Sequence, residues 1–157
     1  MNNKIKELIK KYERIYNSSP WYGESITTIL RNVNPQNVFN KASVRLHSIA
    51  ELVAHMIGWM DIAFNQVQGN IKGRLTQKET FNWKRFDKNE KTAWKSLLKE
   101  LDKNQKKITS LLKKKDDEFL NIKPPRKRQT TEFLIEGIIQ HYIYHLGQIA
   151  LLNKVFR

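Results

Sequence analysis

Apolar residues recur at three- and four-residue spacing in Ile5, Leu8, Ile9, Tyr12, Ile15 and Tyr16. That period puts them on one face of a helix, which Asn17-Ser18-Ser19-Pro20 brings to an end. Trp21, Ile26, Ile29, Leu30 and Val33 suit a further helical turn or two, read as an extension of the first helix after a break. A long second helix is predicted over 48–68 from Leu52, Val53, Met56, Met60, Ala63, Phe64 and Val67, closed by Gly69-Asn70. The next stretch, to about residue 88, has no clear period. A connection of that length suits a crossover between parallel neighbours, anchored here by Phe81, Trp83 and Phe86.

A third helix over about 90–115 has its seam at Trp94, Leu98, Leu101, Ile108 and Leu112, with lysines on the outer face. Pro124-Pro125 and Arg126-Lys127-Arg128 interrupt the chain before a fourth helix over about 131–155, with Thr130 or Thr131 as its cap. Four striped helices, no convincing strand and no internal repeat predict one all-α domain over 1–157, a helical bundle.

Charge adds a second class of partner. The net charge is +14, but the surplus is local: residues 71–129 hold 19 basic and 8 acidic groups, whereas 47–70 hold none and 2. A basic middle beside nearly neutral segments is read first as a solvated face and second as a nucleic-acid patch. The absence of cysteine suits a reducing compartment and leaves His, Asp and Glu as the metal ligands available. No stretch has the apolar length of a membrane span or of a signal peptide core, so a cytoplasmic protein without membrane contact is expected.

The four histidines, at 47, 55, 141 and 145, all lie outside the basic middle. His141 and His145 are one turn apart and replace apolar residues in the seam of Leu134, Ile138 and Leu152. Two imidazoles in an apolar stripe need hydrogen bonds or a metal to satisfy their nitrogens. His55, in register with Leu52 and Trp59, can supply a third nitrogen from across the core. Three nitrogens leave coordination positions open, as a catalytic site requires; ordinary core histidines bonded to carbonyls, Glu51, Glu136 or Gln148 are the alternative. His47, near the helix start, suits a capping or supporting role. Glu51, one turn before His55, is a candidate to orient a ligand or accept a proton, with an exposed helix-surface glutamate as the alternative. Gly58, Gly137 and Gly147 inside helices suggest close helix approach around the site, or drift.

HSIAELVAH at 47–55 with Gly58-Trp59, and GIIQHYIYHLGQIALLNK at 137–154, resemble the paired signatures of the DinB-like, YfiT-like metal-dependent enzymes. PWYGESITTIL at 20–30, FNW at 81–83 and AW at 93–94 are similar to that family's pattern as well. The resemblance implies an up-down-down-up four-helix bundle in which His55, His141 and His145 bind a divalent metal. It also implies a small-molecule substrate, a homodimer, and either a transferase using a low-molecular-weight thiol or a metal-dependent hydrolase. Zinc or nickel is expected first, then iron, manganese or copper. The expectation is against nucleic acid as a partner. The alternative is a non-catalytic nucleic-acid-binding helical module using the basic 72–128 region, with Lys113, Lys114, Lys115, Lys123 and Arg126, Lys127, Arg128 on phosphates and Trp83 and Phe86 as stacking groups.

Overall fold

The computed structural model describes residues 3–70, 83–86 and 91–156. Among them the chain is all-helical: α1 (Asn3–Asn17), α2 (Ile26–Arg31), α3 (Ile49–Val67), α4 (Lys91–Leu112), α5 (Asp117–Asn121) and α6 (Thr131–Val155). Most of the predicted crossover, Phe81 included, lies outside the described residues.

The stripe expected of α1 is buried, from Ile5 to Tyr16. Its amino end has no acidic residue of its own. Asp117, at the start of α5, accepts instead from the backbone N–H groups of Asn3 at 3.0 Å, Lys4 at 3.3 Å and Ile5 at 2.9 Å. A carboxylate there satisfies orphan donors and meets the positive end of the helix dipole. The hydrogen bond from Ile5, followed by those from Lys4 and Asn3, holds the Asp117 carboxyl below the usual range against a desolvation penalty.

Both ends of α3 carry recognisable stop signals. Ser48 and Glu51 form a capping box, the Ser48 hydroxyl accepting from Glu51 N–H and the Glu51 carboxylate from Ser48 N–H. At the other end Gly69 takes φ +72°, donating to Gln66 O at 3.0 Å, while Asn70 N–H reaches Asn65 O at 2.9 Å. This pair of bonds is a Schellman closure, which needs a left-handed residue and so favours glycine.

α3 packs on α4 and α6, and α1 packs on the same two. α2 lies against α1 and α6, so it folds back instead of merely prolonging α1. Short α5 was not anticipated; it packs on α1 and α6 through Leu120. In the α4 seam Leu97 is buried while Leu98 is half-buried, a one-residue shift from the expected stripe. The segment between α2 and α3 is held by buried Val38 and Phe39, by Ala50 N–H donating to Val38 O, and by Asn37 donating to Phe156 O. That anchoring fixes Lys41, Arg45 and His47 beside α3.

Candidate functional site

α3 supplies His55 and α6 supplies His141 and His145 at the packed α3–α6 seam. His141 Nε2 lies 3.2 Å from His55 Nε2 and 3.0 Å from His145 Nε2. One potential ligand atom from each ring falls within 4.8 Å of the others. The structure thus brings together the three residues singled out from spacing and register.

The protons make this cluster unusual. His145 Nδ1 is 2.8 Å from Gln148 Oε1, an oxygen that can only accept, so Nδ1 carries the hydrogen and a neutral ring leaves Nε2 bare. His141 Nε2 can donate to only one of its two neighbours. Protonating the rings is disfavoured: burial, then the charges of His145 and His55, pushes His141 down to about 3. Burial lowers His145 as well, with the Gln148 hydrogen bond opposing and His47 adding to the effect. Neutral nitrogens facing one another are relieved by a cation. A tetrahedral ion with metal–nitrogen bonds of about 2.0–2.1 Å needs nitrogens about 3.3–3.4 Å apart, a few tenths from the two separations that His141 makes, and all three ligand atoms lie within 4.8 Å of one another. The residues therefore fit a divalent ion, and the group could bind a metal.

Trp83 covers this cluster; the sequence offered it as an anchor of the crossover loop and as a stacking group for bases, not as a ring stacked on the histidines. Its ring stacks on His55 with centroids 4.0 Å apart and on His47 at 3.4 Å, both nearly parallel. Sequence offered a capping role for His47, but Ser48 is the cap and His47 serves as one side of this stack.

Glu51 is buried and turned to other partners. Its carboxylate accepts from Ser48 N–H at 3.0 Å, pairs with Lys41 Nζ at 2.8 Å, and lies 3.4 Å from His47 Nδ1. Burial pushes its pKa up, but Lys41, the Ser48 N–H and His47 together outweigh that and hold it below the usual value. Among the described residues no hydrogen bond is seen from Glu51 to the three clustered histidines.

A groove follows the α3–α6 seam. Near the start of α6 it forms a largely apolar cavity of about 280 Å³ lined by Trp59, Phe133, Gly137, Ile138, His141 and Lys127. It continues past the histidines as a cavity of about 480 Å³ that includes Tyr144 and Gln148. Close helix approach does not explain Gly137 or Gly147, because an added Cβ would meet nothing within 4 Å at either. At Gly137 the missing side chain leaves the groove open.

The DinB superfamily model matches residues 24–149. Among curated proteins no relative matches. A solved structure of the colibactin self-resistance protein ClbS in complex with a dsDNA is similar to the chain, with 22% identity, 96% of this chain and 95% of that chain covered, and a TM-score of 0.68.

Two expectations are corrected here. The leading one, a thiol transferase or metal-dependent hydrolase acting on a small molecule, is not carried forward: the similar solved chain is that of a self-resistance protein in complex with a dsDNA. Glu51, the carboxylate offered as orienter or proton acceptor, is committed to a helix cap and a lysine, and Glu136 pairs with Lys11. The expectation against nucleic acid falls on the same finding. The alternative needs amendment too: Trp83 stacks on His47 and His55, and Phe86 packs on Phe39 beneath Lys84, so both rings are already engaged within the protein.

Proposed function

The chain belongs to the DinB superfamily, and on that premise we propose that it binds double-stranded DNA through its basic surface and holds a divalent metal ion between His55, His141 and His145. The observation that carries the first half is the distribution of charge. Many lysines on the outer helix faces are paired, as Lys113 is with Glu13, Lys107 with Asp61 and Lys11 with Glu136. Among the described residues, Lys114, Lys123, Arg126, Lys127 and Arg128 make no ion pair with a carboxylate. Cations that no carboxylate neutralises lower the free energy of a polyanion by releasing its counterions, without reading its sequence. The dsDNA of the ClbS complex is a ligand of this class.

The pairing of α1 and α3 with the same two helices, α4 and α6, supports a four-helix bundle as the scaffold, and the up-down-down-up order is taken from the family resemblance. The bare, neutral nitrogens support the metal site, with zinc or nickel as the first candidates for an all-imidazole ligand set.

Titrating an arbitrary-sequence duplex with the protein tests the main reading. Binding in the micromolar range near 0.1 M salt, weakening steeply as salt rises, is the expected result. A wild-type protein that leaves the duplex free even at about 0.05 M salt overturns it.

A further inference from the structure

We infer that Arg45 and Arg85 form a phosphodiester-binding rim beside the histidine cluster, so that the DNA backbone is held at the mouth of the α3–α6 groove; this rests on the DNA-binding reading above. The two arginines come from separate segments. Arg45 belongs to the stretch that Val38 and Asn37 tie to α3 and α6, and Arg85 to the stretch that Trp83 pins by stacking on His47 and His55. They line one cavity of about 460 Å³ with Lys41, His47, Glu51 and Trp83.

The local charge does not balance. Lys41 and Glu51 neutralise each other at 2.8 Å, which leaves the two guanidinium groups as the surplus. Among the described residues neither Arg45 nor Arg85 lies in an ion pair. Two like charges directed at one concavity repel unless an anion sits between them, and a concave wall focuses their field. Guanidinium is also the cation whose planar fork matches two oxygens of one phosphate. The other basic patch, at 123–128, contributes Lys127 to the largely apolar cavity.

The surroundings suit a nucleotide chain better than a free phosphate. Val44, 95% exposed, and Leu46, 49% exposed, lie on the same cavity wall and offer apolar contact to sugars. The cavity shares His47 and Trp83 with the one that holds the histidines and exposed Tyr144.

Fluorescence anisotropy of a labelled duplex separates this assignment from diffuse attraction by the net charge. The full-length chain would be compared with Arg45→Gln/Arg85→Gln and with Lys123→Gln/Arg126→Gln/Arg128→Gln. The rim variant is expected to lose at least about tenfold in affinity near 0.1 M salt, and its log K against log salt plot to flatten by about 2. The comparator removes one more charge, so smeared electrostatics would make it the weaker binder. Arg45→Lys/Arg85→Lys, which keeps charge and loses the fork, should fall between wild type and the Gln pair. All substituted side chains at the rim are exposed, so melting temperatures should match wild type. A rim variant with wild-type affinity and slope, or a comparator that loses more than the rim variant, overturns the rim while leaving DNA binding standing. A wild type that does not bind duplex overturns both.

Discussion

The Trp83 indole lies flat on the His55 imidazole, with centroids 4.0 Å apart and planes inclined by 13°. An ion drawing on the lone pair of His55 would change the electronic environment of that indole. Adding zinc to chelator-stripped protein should therefore shift or quench tryptophan emission, although three other tryptophans contribute to the signal. Most of the change should disappear in Trp83→Phe. An unchanged response in that variant would assign the signal to Trp59, whose ring centroid lies 6.2 Å from that of His55 and 5.9 Å from that of His141.

Metal content should rank the histidines. His55→Ala, His141→Ala and His145→Ala should each lose tight binding, since two imidazoles hold an ion poorly against buffer. His47→Ala should keep it. Gln148→Ala removes the acceptor that fixes the His145 tautomer and should cost about 10- to 100-fold in metal affinity. Elemental analysis of protein purified without metal-affinity resin, followed by competition with a chelator, reads all five.

Glu51 should matter for stability and not for metal. Glu51→Ala deletes half of the capping box and leaves Lys41 unpaired, a loss of about 2 kcal/mol in denaturant unfolding. The sign with pH follows from the lowered pKa. Its contribution is complete above the unfolded carboxyl value of 4.5 and is lost as pH falls through the lower folded value. Wild type and Glu51→Gln should thus converge in stability in acid and diverge at neutral pH. Unequal metal content between them would instead tie Glu51 to the histidines.

Gly69→Ala forces a side chain into the left-handed region at the end of α3, with φ at +72°. The expected cost is about 1 kcal/mol, read as a lower midpoint at unchanged denaturant slope.

What could be read in the sequence was what repeats. The stripes of α1, α3 and α6 and the cap at Thr130 are local patterns, and all three helices lie where periodicity placed them, whereas the cap of α3 was offered to His47 and falls on Ser48. α5 escaped because five residues with one buried leucine, Leu120, show no period. His141 and His145 stood out as polar interruptions of a seam. The partners of Glu51 did not, because its position before His55 says nothing about Lys41, ten residues upstream and outside the helix. The stack on Trp83 was hidden for the same reason: it joins 47, 55 and 83 through tertiary placement alone.

The long-range cap on α1 has a consequence for the order in which the chain can be completed. Asp117 lies 112 residues downstream of the Ile5 amide it serves. At synthesis rates of about 5–20 residues per second, the first turn of α1 waits on the order of ten seconds for its acceptor. A nascent chain arrested before residue 117 should show fast amide exchange at 3–5 while the middle of α1 is already protected. The helix made first is thus among the last to be finished.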